Sequence, residues 1–188
     1  MQALRSFIPP LAAMLMAAAG GATAQGVLID KSEIRFVSKQ MGVNVEGRFR
    51  KWKANVDFRP RDLAHSKAEF EIELGSVDLA SEESEAEVKG PLWFDAAKFP
   101  VAKFTSSAVR DAGSGRYEIA GTLALKGTAR DVIVPVTLRK DAAGNSVAEG
   151  QFNVKRLDFG IGQGLWSDTE TVADDVIVRV RMVLPPIA

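Results

Sequence analysis

The 188-residue chain reads as an all-β protein, a single antiparallel barrel of about eight strands, with a short helical lid segment around 81–100. Three observations predict this. Apolar side chains recur at every second position in run after run. Short stretches of turn-forming residues divide the runs. One acidic segment alone has the composition of a helix.

The runs are Val43, Val45, Gly47 and Phe49; Ala54, Val56 and Phe58; and Ala68, Phe70, Ile72 and Leu74. They continue with Tyr117, Ile119, Gly121, Leu123 and Leu125; Val132, Val134, Val136 and Leu138; Phe152 and Val154; and Val176 through Leu184. A period of two sends successive side chains to opposite faces of a strand, one toward a core and one toward water. The separators Arg59-Pro60-Arg61-Asp62, Asp111 to Gly115, Lys126-Gly127-Thr128 and Asp141 to Asn145 have the residues that hairpin turns require. Trp52 falls out of register between two runs, which predicts a bend there.

The exception to the alternation is Ser81 to Lys89. Ser81 is an N-cap candidate, the glutamates that follow suit a helix N-terminus, and Gly90-Pro91 stops the helix. Leu92 to Pro100 is aromatic-rich without strand alternation, so 81–100 is expected to cover one end of the barrel. No repeat or low-complexity linker divides the chain, which predicts one domain over 25–188.

Residues 1–24 have the layout of a cleaved export signal. Arg5 supplies a positive start, Phe7 to Ala19 is an apolar run too short to span a bilayer, and Ala22-Thr23-Ala24 has a small-x-small cleavage pattern. Without those residues 23 basic side chains face 24 acidic ones, because Arg5 is the basic residue lost. That balance gives no electrostatic case for nucleic acid or for an anionic membrane surface. No second apolar stretch is long enough for stable membrane insertion. The chain has no cysteine, which excludes disulfides, thiolate metal sites, cysteine nucleophiles and a lipobox anchor.

Residue types that carry chemistry occur without the partners that chemistry needs. His65, the single histidine, sits in a polar turn and reads as a solvated loop residue. Glu82, Glu83, Glu85 and Glu87 lack the alternating oxygen ligands and turn glycine of a calcium loop. Gly160-Ile161-Gly162-Gln163-Gly164 resembles a phosphate loop only superficially, since the spacing is wrong and no helix follows. It is better read as letting a strand bend or a ligand approach the backbone. Asp168, Glu170, Asp174 and Asp175 read as a solvated acidic loop, and no Gly-x-Ser-x-Gly elbow is present. The sequence therefore predicts no catalytic residues and no metal site.

Five stretches in order resemble the YceI-like polyisoprenoid-binding family. They are Val45-Glu46-Gly47-Arg48-Phe49; Ser76-Val77-Asp78; Phe94 to Pro100 with Phe104-Thr105-Ser106; Gly121 to Thr128 with Val134-Pro135-Val136; and Asp158 to Gly162 through Trp166-Ser167-Asp168-Thr169. The resemblance implies a lipocalin-like barrel around an elongated apolar tunnel, a periplasmic location, and a polyprenyl-tailed ligand such as a polyprenol or an isoprenoid quinone. Where many relatives carry an Arg-Asp pair and a Leu after Ser-Val-Asp, this chain has Glu85-Ala86-Glu87-Val88-Lys89, so no head-group role is carried over to that segment. Gly162 to Trp166 resembles a branch found beside membrane b-type cytochromes. By analogy this leaves open a transient contact with a membrane redox protein; a homodimer is likewise left open.

The alternating faces serve a filled core or a tunnel wall equally well. Parity nominates Phe49, Phe58, Phe70, Ile72, Phe104, Leu123, Val136 and Phe152 as walls, and the lid contributes Trp93, Phe94 and Phe99. The expected function is a carrier that encloses a hydrophobic small molecule. The alternative is a filled barrel acting on a redox partner without lipid, and a weak enzyme that uses a bound quinone is a third reading.

Overall fold

The computed structural model describes residues 26–187; the export signal expected over 1–24 lies outside the described residues. Ten strands form one antiparallel sheet: β1 Glu33–Gln40, β2 Val43–Phe49, β3 Trp52–Asp57, β4 Lys67–Glu73, β5 Val77–Asp78, β6 Val101–Gly113, β7 Arg116–Leu125, β8 Thr128–Lys140, β9 Ser146–Lys155 and β10 Asp175–Leu184. Their order is β3-β4-β6-β7-β8-β9-β10-β1-β2-β5. The two ends of that order are one bent hairpin. β2 runs into β3 through Arg50-Lys51, and β4 runs into β5 through a 3-10 turn at Leu74–Ser76. Pairing continues across the bend, with Arg50 N donating to Ser76 O at 3.0 Å and Glu73 N to Lys51 O at 3.0 Å. The sheet is thereby closed on itself, and counting each bent strand once leaves about eight around the barrel. Trp52 opens β3 opposite Ile72 just past the bend.

Local chemistry sets the turns. Met41-Gly42, Ser114-Gly115 and Lys126-Gly127 have positive φ at both residues, the mirror-image turn geometry that matches the twist of a two-residue hairpin. Inside the barrel, glycines make room for rings. A Cβ on Gly47 would collide with the ring of Phe36, and one on Gly121 with the ring of Phe104. These two glycines hold inward positions of their runs because an aromatic neighbour fills the space.

β1 and β6 are strands that the alternation did not reveal. On β1 the cavity-facing series Ile34, Phe36, Ser38, Gln40 turns polar at one end, while Val37 on the other face is also buried. On β6 the register shifts between Ser106 and Ala108, a bulge that swaps the faces part-way along. Helix α1, Glu82–Lys89, lies where composition predicts it. Ser81 caps it by accepting from Ser84 N, and Gly90 N donates to Glu87 O at its end. Residues 90–100 follow as a series of turns.

Candidate functional site

The inward faces do not meet in a filled core. They enclose a cavity of about 930 Å³, at the upper end of the usual range of about 300–1,000 Å³ for small-molecule sites. Its walls come from β1, β2, β3, β4, β6, β7, β8, β9 and β10 and from the inner face of α1. Phe70, Ile119, Phe152 and Val178 line it and are only half-buried, because part of each side chain faces the cavity instead of other atoms.

The two ends of the cavity differ. At one end the lining is Ile34, Val56, Ala68, Met182 and Leu184, all buried. A second apolar cluster of Val27, Phe58 and Ile187 packs behind Val56, Ala68 and Leu184 and closes that end. At the other end the lining residues Gln40, Glu83, Ser84, Ala86, Glu87, Pro91 and Leu92 are exposed, so the mouth opens there. Its polar side chains Ser38, Gln40, Ser84, Glu83, Glu87 and Arg156 are gathered at this end. The cavity is apolar along its length and polar where it meets water.

Ion pairs fix α1 at the mouth. Asp78 takes hydrogen bonds from Arg50 and Arg48, both at 2.6 Å. The two guanidinium groups hold its carboxyl at about 2, below the ordinary 3.8. Glu85 accepts from Leu79 N at 3.2 Å and from Lys89 at 3.2 Å, and lies 3.4 Å from Arg50. The Leu79 N–H first, then Lys89, lowers its pKa. Glu85, in the segment that departs from the family pattern, therefore ties the helix to Arg50 at the bend and to the backbone of Leu79 just after β5.

A second set of contacts latches the lid to the glycine-rich loop. Gly162 N and Gln163 N both donate to Leu92 O at 2.9 Å. Lys126 Nζ donates to Pro91 O at 3.0 Å and to Gly160 O at 2.7 Å. Trp166 Nε1 donates to Glu87 Oε1 at 2.9 Å, and the Trp93 and Trp166 rings lie 5.6 Å apart. Beneath them sits Arg156, 2% exposed. Its guanidinium donates to the carbonyls of Ala173, Ile161, Gly162 and Val172 at 2.6–3.0 Å and lies 5.9 Å from the Trp93 ring centroid. Burial pushes its pKa down, with Asp174 opposing, but an arginine keeps its charge. Gly160, Gly162 and Gly164 all have positive φ, and a Cβ on Gly162 would fall on Arg156 Nη1. The loop bends through its glycines to wrap this cation.

Of the residues nominated from parity and the lid, Phe49, Phe70, Ile72, Trp93, Phe94, Phe104, Leu123, Val136 and Phe152 line the cavity together. Phe58 and Phe99 do not. Phe58 lies beyond the end of β3, where parity no longer carries, and stands edge-on to Tyr117 at 5.0 Å. Phe99 packs over Gly127 and lies 5.2 Å from Lys98 Nζ. Arg156 and the polar mouth were not nominated. A lone arginine at a strand end reads as exposed, and only the three following glycines hint that a loop wraps it.

The other polar candidates have local roles. His65 Nδ1 sits 2.8 Å from Asp62 in an exposed 3-10 turn. Asp168 accepts from Glu170 N and Thr171 Oγ1, and Asp174 accepts from Leu157 N, so the acidic loop is internally bonded while Asp168 and Glu170 stay exposed, and Asp175 opens β10. Among the described residues no three His, Asp or Glu side chains form a group able to hold a metal ion.

Relatives share this architecture. BcnA of Burkholderia cenocepacia superposes with a TM-score of 0.80 at 39% identity, over 84% of this chain and 98% of that one. A polyisoprenoid binding domain from Saccharophagus degradans superposes at 0.70 over 88% of this chain and 99% of that one, with 16% identity. A UPF0312 protein of Shewanella denitrificans is 30% identical over 160 residues, 79% of this chain and 81% of its own length. The YceI-like domain matches residues 27–184, and the chain belongs to that family.

Proposed function

We propose that this protein is an exported, periplasmic carrier that encloses the tail of a polyisoprenoid lipid, a polyprenol or isoprenoid quinone, and catalyses no reaction. The observation that carries the proposal is a long apolar cavity closed at one end and polar at the other. A ligand with that polarity has an apolar tail and a polar head. The fold shared with a polyisoprenoid binding domain supports the tail's chemistry, and the layout of residues 1–24 supports export.

The energetics are favourable. Each methylene withdrawn from water contributes about 0.8 kcal/mol, so a tail of about 40 carbons has a gross drive of roughly 30 kcal/mol. That exceeds the non-covalent ceiling of about 20 kcal/mol, and ordering the tail offsets much of the excess. Affinity is easily reached, so selectivity falls to tunnel length and to the polar mouth. Mass spectrometry of an organic extract of the natively purified protein tests the reading. A stoichiometric polyprenyl-tailed lipid is expected. A protein purified empty that takes up no polyprenyl lipid on reconstitution contradicts it.

A further inference from the structure

Isolated exposed apolar side chains are ordinary on any surface. Here the three most exposed large ones among the described residues, Leu165 at 93%, Met41 at 76% and Val43 at 67%, gather at the mouth. Met41 and Val43 belong to the β1–β2 hairpin, whose Gln40 lines the cavity. That hairpin is bonded to the loop after β9. Met41 N donates to Thr171 O, Ala173 N donates to Lys39 O, both at 2.9 Å, and Gln40 bridges Val172. Leu165 stands in the same loop next to Trp166, which lines the cavity and is bonded to Glu87 of α1. The three side chains are thus held on connected backbone around one opening, and all three are exposed to water there.

We propose that this rim docks onto a bilayer of zwitterionic lipid, inserting Met41, Val43 and Leu165 so that cargo moves between membrane and tunnel without crossing water. The inference rests on the carrier reading, because a polyprenyl lipid has its source and destination in bilayers. An apolar rim continuous with an apolar tunnel removes the aqueous gap, and shallow insertion of a few apolar side chains suits reversible attachment. Charge selects the kind of bilayer. Glu83 and Glu87 line the opening and Asp168 and Glu170 are exposed on the adjoining loop. Of the basic groups nearby, Lys39 is exposed, Lys89 is engaged by Glu85, Arg48 and Arg50 are paired with Asp78, and Lys126 donates to the carbonyls of Pro91 and Gly160. An acidic rim complements the ammonium groups of phosphatidylethanolamine and repels anionic head groups.

The test uses the protein loaded with a long-chain isoprenoid quinone and vesicles of phosphatidylethanolamine and phosphatidylcholine. The transfer rate is expected to rise in proportion to vesicle concentration. The triple variant Met41→Ser, Val43→Ser, Leu165→Ser should slow it by roughly tenfold or more, with quinone affinity and Tm unchanged, and anionic lipid in the vesicles should slow the native protein. Transfer as fast in the triple variant, a rate independent of vesicle concentration, or transfer only to vesicles that hold a membrane protein would each overturn docking. If the protein binds neither a quinone nor a polyprenol, the carrier reading fails by itself. Docking is then read from co-sedimentation of ligand-free protein with the same vesicles: loss in the triple variant supports it and equal sedimentation overturns it.

Discussion

Arg156 is a buried cation without a carboxylate in contact; its charge is spread over four backbone carbonyls of the loop between β9 and β10. Replacing it by methionine keeps much of the volume and strands those carbonyls, and a buried unsatisfied polar group costs about 1–3 kcal/mol. Several are stranded at once, so Arg156→Met should destabilise by at least about 3 kcal/mol. Gly162→Ala places a methyl group on the same guanidinium and requires an L-residue at φ +74, so it should cost about 1–3 kcal/mol. Urea titration of both variants measures this; a loss under about 0.5 kcal/mol, the usual size for surface changes, would show that the cation is not a keystone of the loop. At this scale the sequence is legible where parity rules. Phe70 and Leu123 sit in runs whose neighbours are all strand, and they line the cavity. Phe58 lies just past the end of such a run, where backbone direction changes and spacing loses its meaning, and Phe99 was nominated from a lid segment without alternation, whose composition does not say which way a ring faces. Arg156 was illegible because its partners are carbonyls, which every residue has.

Helix α1 is a short element with no buried side chain, so its place at the mouth depends on polar contacts, chiefly Asp78 and Glu85 with Arg48, Arg50 and Lys89. Both carboxyls have folded-state pKa values below their ordinary ones, Asp78 at about 2. A depressed carboxylate stabilises the fold above its unfolded pKa, and that contribution is lost as pH falls through the folded value. Asp78 therefore contributes fully above its ordinary 3.8 and is lost on the way to about 2. The Tm is expected to fall across that interval. Asp78→Asn should remove part of the fall and increase hydrogen exchange in 82–89 at neutral pH; an unchanged acid limb and unchanged exchange would contradict the anchoring role. Elements were legible in proportion to their regularity. The helix was marked by its cap and stop, and the bend by Trp52 losing step. β1 and β6 escaped, the first because its inward face becomes polar at the mouth and the second because a bulge reverses its faces.

For the molecule as a whole, alternation alone does not distinguish a packed barrel from a hollow one, since both need one apolar face per strand. Side-chain volume around a closed circle decides it, and here the summed inward side chains leave about 930 Å³ unfilled. Closure itself was legible only as a strand number; that the first and last strands of the sheet are halves of one bent hairpin depends on pairing far apart in sequence. The most direct test of the tunnel narrows it from the wall. Phe70→Trp and Leu123→Trp each place a larger ring where the ligand tail should run. In a packed interior added volume costs about 1–3 kcal/mol, whereas here the ring enters open space and the Tm of ligand-free protein should change little. The bound lipids should shift to shorter tails, since carbons beyond the block each forgo about 0.8 kcal/mol. The decisive measurement is the mass-spectrometric tail-length profile of each variant beside its thermal melt. A stable fold with a shortened profile is the predicted result, and unfolding of both variants with the native profile retained in whatever folds would contradict the tunnel.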